Sequence, residues 1–185
     1  MKELSLNILD IAQNSIKAKA TVIVIDIIET EEELTISISD NGCGMPKEML
    51  EKVSDPFCTT RTTRKVGLGI PFFRMAAEQT GGNLKISSVY ELDNPDNHGT
   101  TTTAFFYKNH IDFTPLGDII STICTLIQAC DNYDIVFNHT LPCGITVSAD
   151  TRQFKDVLGD IPLSNPDVLV WINDFLSEQY NIKNK

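Results

Sequence analysis

Two stretches rich in β-branched residues, separated by a run of acids, most constrain how this chain can fold. Residues 21–28 read TVIVIDII, and residues 34–39 read LTISIS, in which apolar and polar residues alternate. A period of two predicts a strand with one buried face, and the acidic run ETEEE between the stretches predicts a turn. The sequence therefore predicts an antiparallel hairpin near the start of the chain.

Further elements flank this hairpin. Apolar residues at helical spacing predict a helix over residues 4–18, and NLKISSVYEL and GTTTTAFFY predict two more strands. The pattern predicts an α+β two-layer sandwich with a mixed, mostly antiparallel sheet and helices on one face. We expect one domain over residues 1–110 and a small αββαα appendage over residues 111–185, because composition shifts at the connector HIDFTP.

Composition narrows the classes of partner. The 185 residues carry a net charge of −10, whereas a sequence-independent grip on nucleic acid needs clustered Lys and Arg, so we expect no nucleic-acid partner. No window approaches the roughly 18–20 apolar residues of a membrane span. The five cysteines form no CxxC pair, which predicts neither a disulfide framework nor a zinc site. We expect a cytoplasmic protein with no membrane partner.

The stretch SDNGCGMP, residues 39–46, follows the second strand and precedes a helical pattern. Asn-Gly adopts positive φ easily and Pro46 suits a first helical turn, so one interpretation is a simple strand-to-helix turn. The other is that Gly42 and Gly44 open the backbone to a ligand. The stretch alone leaves both open.

Three polar residues of the first predicted helix share one face. Asp10, Asn14 and Lys17 are spaced by four and three residues, and a solvated outer face is the simplest interpretation. If that helix lies beside the glycine-rich loop, however, its carboxylate, amide and ammonium groups face a loop whose backbone is accessible to a ligand. These are the groups that a nucleotide with Mg²⁺ requires. Gly67 and Gly69, in VGLGI before a helix, add amides that could meet phosphate.

Five segments in this order resemble the GHKL, or Bergerat-fold, ATPase family. They are NILDIAQNSIKA, DNGCGMP, DPFCTTRTTRKVGLGIPFF, GGNLKISS and HGTTTTAFF. The resemblance covers roughly residues 4–107 and is nearest to the sensor histidine kinase catalytic domains and anti-sigma factor kinases. It implies the same sandwich fold, with ATP and Mg²⁺ as ligands.

The resemblance also implies roles on the first helix. Asn14 resembles the magnesium-binding asparagine, and Lys17 resembles the basic residue that histidine kinases place against phosphate. Asp10 stands where hydrolytic members carry a glutamate general base, and its side chain is one methylene shorter. Asp10 is therefore the candidate catalytic residue. Its shorter side chain leaves open whether the carboxylate reaches a water that attacks the phosphate.

The remaining roles lie around the glycine-rich loop. Asp40 resembles the aspartate that accepts the adenine amino hydrogen, Gly42 and Gly44 allow base and ribose to approach, and Thr100 resembles a threonine that binds adenine through water. The other positions to which the resemblance assigns nucleotide contacts are Met45, Thr59, Thr60, Arg61, Gly67, Leu68 and Gly69.

Several functions are consistent with this set. One is a kinase or phosphotransfer catalyst directed at a partner protein, or a slow ATPase. Another is a conformational switch driven by ATP, and a third is a non-catalytic ATP-binding module that controls a partner. ATP or ADP and a partner protein are the expected ligands, and a homodimer is an open alternative.

Overall fold

The computed structural model describes residues 2–54, 69–130 and 132–181. In these ranges the chain forms, in order, α1 (Leu4–Lys17), β1 (Val22–Glu29), β2 (Glu33–Asp40), α2 (Lys47–Ser54), α3 (Gly69–Gln79), β3 (Asn83–Val89), β4 (Gly99–Tyr107), α4 (Ile119–Gln128), β5 (Asp134–Thr140), β6 (Thr146–Asp150), α5 (Thr151–Leu158) and α6 (Pro166–Asn181). None of the helices within these ranges is long and apolar enough to cross a membrane.

The strands form one mixed sheet in the order β3-β4-β2-β1-β5-β6. Every neighbouring pair is antiparallel except β1 and β5, which are parallel. Four helices form a layer against the sheet, in which α3 contacts α1, α1 contacts α4, and α4 contacts α6. The predicted two-layer α+β sandwich with a mostly antiparallel sheet is thus confirmed.

Strand alternation places the core between the two layers. Ile23, Ile25 and Ile27 of β1 are buried, whereas the residues between them are partly exposed. From α1, Leu4 and Ile8 are completely buried. Each such side chain contributes roughly 1.5–3 kcal/mol of hydrophobic free energy, which fixes α1 on the sheet face and so orients the polar residues of that helix.

The strands of residues 111–185 belong to the same sheet, because β5 pairs in parallel with β1 and Val24 lies opposite Val136. The start of α1 also contacts this part of the chain: the Leu4 amide donates to the Pro115 carbonyl at 3.0 Å, and the Ser5 amide donates to the Leu116 carbonyl at 2.8 Å. The division at residue 110 stays a prediction, and hydrogen bonds cross it.

A chain of polar side chains connects α6 with Glu29, the last residue of β1. Glu29 lies at the end of the sheet opposite to Asp40. Glu29 pairs with Lys108 Nζ at 2.7 Å and with His139 Nε2 at 3.3 Å, and His139 Nδ1 lies 2.8 Å from the Tyr180 hydroxyl. Burial, together with the charge of Glu29, raises the pKa of Tyr180, so its hydroxyl keeps its proton. His139 thus joins the end of β1 to α6.

Candidate functional site

The predicted polar face of α1 is present in the structure. Asp10 and Asn14 are partly exposed, and Lys17, the last residue of the helix, is exposed. Among the described residues, the three side chains form no hydrogen bond or ion pair with the rest of the protein. Their carboxylate, amide and ammonium groups are therefore available to a ligand.

Asp40, the last residue of β2, is held from two sides. Its Oδ2 accepts a hydrogen bond from Ser15 Oγ at 2.5 Å, and its Oδ1 accepts one from the Gly42 amide at 2.9 Å. Ser15 is buried on α1 next to Asn14. The contact brings the predicted adenine-binding acid beside the predicted magnesium-binding helix. Carboxylate oxygens accept more than one hydrogen bond, so Asp40 can still accept from a ligand.

The segment that joins β2 to α2, residues 40–46 (the 40–46 loop), has a backbone at Gly44 that strongly favours glycine. That residue has a φ of +66°, and a Cβ at this position would lie 1.9 Å from the Val89 carbonyl oxygen. The Met45 amide donates to Ser88 Oγ at 2.8 Å. The loop thus forms a turn, and its backbone also packs directly against the end of β3.

Gly42 approaches the end of α1 in a similar way, since a Cβ there would lie 2.8 Å from the Ala18 carbonyl oxygen. Thr100 of β4 lies opposite Asp40 in the register of the sheet. Its hydroxyl is 2.9 Å from Ser88 Oγ. The structure therefore gathers Asp40, Gly42, Met45 and Thr100 at one end of the sheet, and their roles toward adenine stay predictions.

Gly69 begins α3 beside the candidate base. A Cβ at Gly69 would lie 2.9 Å from the Asp10 Cβ, so the first turn of α3 packs against α1 at Asp10. Amides at a helix start favour anions, which is consistent with the predicted phosphate contact. The other predicted residues of that region lie outside the described residues: Thr59, Thr60, Arg61, Gly67 and Leu68.

Three residues that hold this arrangement together were not predicted. Ser15 anchors Asp40, Ser88 binds the 40–46 loop, and His98 Nδ1 lies 2.6 Å from the Gly42 carbonyl oxygen. The sequence could have predicted a hydrogen bond for Ser15, because a hydroxyl on the buried side of an amphipathic helix needs a partner. Ser88 and His98 carry no such pattern.

A groove of about 370 Å³ lies elsewhere, between α4 and α6, and includes Cys124 and Asn173. Burial raises the pKa of the Cys124 thiol, although a hydrogen bond with Asn173 opposes the shift. A protonated thiol is a poor nucleophile. The groove contains none of the predicted nucleotide-binding residues, so we take the end of the sheet, with its polar groups and close backbone approaches, as the candidate site.

Comparison with known proteins identifies the family of the chain. Residues 2–110 match the family described as histidine kinase-, DNA gyrase B-, and HSP90-like ATPase. The chain is 34% identical over 90 residues to sporulation kinase C of Bacillus subtilis, and 30% identical over 89 residues to the signal transduction histidine-protein kinase AtoS of Escherichia coli. Each alignment covers 48% of this chain, but only 20% and 14% of the two kinases.

Two solved structures share the fold. The N-terminal domain of a DNA repair protein aligns with 80% of this chain and 53% of its own, with a TM-score of 0.58 and 16% identity. The Aquifex aeolicus MutL ATPase domain complexed with ADP aligns with 74% of this chain and 60% of its own, with a TM-score of 0.52 and 14% identity. These structures support the fold alone, whereas the family match spans well over half of the 185 residues. The chain belongs to the histidine kinase-, DNA gyrase B- and HSP90-like ATPase family.

Proposed function

We propose that this chain binds ATP with Mg²⁺ between α1 and the 40–46 loop, and that it transfers the terminal phosphoryl group to a partner protein or, slowly, to water. The observation that carries the proposal is the face of Asp10, Asn14 and Lys17, whose side chains form no hydrogen bond or ion pair among the described residues. Family membership supports ATP as the nucleotide, and the similarity to histidine kinases supports phosphotransfer.

The donor set fits Mg²⁺. The Asn14 amide oxygen is a hard ligand in the last turn of α1, and the Asp10 carboxylate lies one turn earlier. Mg²⁺ in such sites takes one or two protein oxygens and otherwise binds water and phosphate oxygens. When bound, it neutralises charge on the phosphates. Asn14 would hold it, while Lys17 would contact a phosphate oxygen as a point charge.

Asp40 would recognise the base. Its two oxygens are fixed by Ser15 and Gly42, so its remaining acceptor capacity has a set direction for the exocyclic amine of adenine. Gly44 keeps the loop close to β3, and the Thr100 hydroxyl beside Asp40 could bind the base through water. Selectivity for adenine over guanine would follow, because a carboxylate accepts from an amine and repels a carbonyl oxygen.

Asp10 would serve the transfer step. The nucleophile, a hydroxyl or imidazole of the partner protein or a water, attacks the γ-phosphorus as the bond to the β–γ bridging oxygen breaks. ADP leaves with that electron pair, and the proton of the nucleophile passes to the Asp10 carboxylate. The short side chain of Asp10 favours a protein nucleophile, which a partner can deliver closer than bulk water.

A conformational switch is the second candidate, and a specific contact favours it. The helix that carries Asp10 and Asn14 is bonded at its start to Pro115 and Leu116. Movement of α1 on nucleotide binding would therefore reach residues 111–185 and any partner bound there. A cytoplasmic location and a homodimer remain predictions from the sequence.

Phosphate release by three variants separates these functions. Asp10→Asn should bind Mg-ATP like the wild type and release phosphate about 100-fold more slowly. Asp10→Glu should release phosphate faster than the wild type if reach limits the attack of water. Asp156→Asn, an exposed acid of α5, is the control and should match the wild type. An unchanged rate in Asp10→Asn would remove Asp10 from the mechanism. Binding without release in the wild type would exclude transfer to water and leave transfer to a partner protein or the switch.

A further inference from the structure

One peptide group of the 40–46 loop is held at both of its polar atoms. The Cys43 amide donates to the Ala18 carbonyl at 2.9 Å, and the carbonyl oxygen of the same peptide, that of Gly42, lies 2.6 Å from His98 Nδ1. Because a peptide group is planar, two contacts on opposite sides fix its orientation. The glycines that flank Cys43 would otherwise leave this peptide free to rotate.

The chemistry of the contact assigns the proton. A carbonyl oxygen only accepts hydrogen bonds, so His98 Nδ1 must carry a hydrogen and donate it. The neutral ring protonated on Nδ1 and the charged imidazolium both meet this requirement. A neutral ring with its proton on Nε2 would instead place two lone pairs against each other.

His98 lies in a segment that passes close to the first three residues of the 40–46 loop. The next residue, Gly99, has a φ of +139°, and a Cβ there would lie 1.9 Å from the Asp40 carbonyl oxygen. The contact of His98 with Gly42 extends this close approach by two residues. The amide of Gly42 in turn donates to Asp40 Oδ1, so the orientation of Gly42 bears on the carboxylate itself.

We infer that His98 is a positioning residue of the nucleotide site: its Nδ1–H donates to the Gly42 carbonyl and holds the 40–46 loop, with Asp40, in the conformation that accepts adenine. The inference rests on the proposed function. A loop that already has its bound conformation binds the ligand more tightly, because binding then costs less conformational entropy. Loss of the donor should therefore weaken nucleotide binding without removing any group that touches the nucleotide.

Two variants of His98 separate the donor from the ring. The asparagine side chain offers an amide N–H close to the position of Nδ1, so His98→Asn should keep the contact, and His98→Leu should lose it. By calorimetry we expect the Kd for Mg-ATP to rise about 3- to 10-fold in His98→Leu and to stay within about twofold in His98→Asn. His110→Leu, an exposed histidine of the next loop, is the control and should leave the Kd unchanged.

A second readout uses the wild type without nucleotide. Nitrogen-15 NMR should show the hydrogen of His98 on Nδ1, and amide exchange at Cys43 should be faster in His98→Leu than in His98→Asn. The Nε2–H tautomer, or equal Kd values for the wild type and both variants, would overturn the inference. Equal losses in both variants would also overturn it, because the ring and not the donor would then matter. Failure of the wild type to bind ATP would instead refute the proposed function, and the NMR result would still decide whether His98 holds the loop.

Discussion

The contact between Ser15 and Asp40 gives the sharpest test of how the site is built. Ser15 Oγ donates to Asp40 Oδ2 at 2.5 Å from a position that is only 3% exposed. Replacing Ser15 by alanine removes this donor and leaves the backbone of α1 in place. The nearby Gly42 amide still binds the other carboxylate oxygen, so Asp40 keeps one of its two protein contacts.

The magnitude follows from two opposing terms. A hydrogen bond to a charged group contributes roughly 1.5–3 kcal/mol, and Asp40 is partly exposed, so water replaces part of the lost interaction. Alanine favours a helix over serine by roughly 0.5 kcal/mol. We expect Ser15→Ala to lower the free energy of unfolding by about 1–2 kcal/mol, and the melting temperature by about 2–4 °C for each kcal/mol. A freer Asp40 should raise the Kd for ATP about fivefold.

Denaturant unfolding and calorimetry with Mg-ATP measure the two effects. Ser5→Ala is the matched control, because Ser5 is a buried serine of the same helix whose hydroxyl contacts Glu3 at 3.4 Å, away from the site. The control should cost some stability and leave the Kd unchanged. If Ser15→Ala binds ATP as tightly as Ser5→Ala does, the reasoning that Ser15 orients Asp40 is refuted.

Two further predictions concern the 40–46 loop and the start of α4. Gly44→Ala should lower the free energy of unfolding by about 2–4 kcal/mol, since its Cβ would collide with the Val89 carbonyl. The control is Gly144→Ala, at a φ of +84° with no neighbour within 4 Å, which should cost only about 1 kcal/mol. Equal losses for the two variants in urea unfolding would contradict the collision. Asp118 caps α4, and hydrogen bonds from the Ser121 hydroxyl and amide lower its pKa. A lowered pKa means stability that is present above the ordinary carboxyl range and lost as pH falls through the folded-state value. Asp118→Ala should therefore cost about 0.5–1 kcal/mol at pH 7 and less near pH 2. Asp118→Asn keeps an acceptor oxygen without the charge and should lie between the wild type and Asp118→Ala at pH 7. A gap between the wild type and Asp118→Ala that does not shrink at pH 2 would contradict the charge-dependent part of the cap.

Local patterns predicted the elements and failed to predict one pairing. The β-branched run of β1 and the alternation of β2 predicted both strands and the hairpin, because adjacent antiparallel strands need only a turn between them. The parallel pairing of β1 with β5 joins residues more than a hundred positions apart, such as Val24 and Val136. No local period encodes such a partner, so the sequence did not predict that β5 and β6 join the sheet of the first 110 residues. The division into two domains stays a prediction.

In the candidate site, too, the sequence predicted local relations and did not predict contacts between distant residues. Helical spacing placed Asp10, Asn14 and Lys17 on one face, since that relation is local. The contacts that orient Asp40 come from Ser15 and, through Gly42, from His98, which are distant in the chain and meet only in the fold. Family resemblance supplied the expected ligands, but it did not indicate which side chains hold the loop in this protein.

Calorimetry of ATP binding to the wild type and Asp40→Asn, with and without Mg²⁺, tests the central claim most directly. The substituted side chain can present an amide hydrogen toward the amine of adenine in place of an acceptor oxygen, which we expect to weaken binding at least about 30-fold. The account predicts Mg²⁺-dependent binding to the wild type and this loss in Asp40→Asn, while Asp156→Asn binds normally. A wild type that binds no adenine nucleotide, or an Asp40→Asn variant that binds as tightly as the wild type, would contradict it.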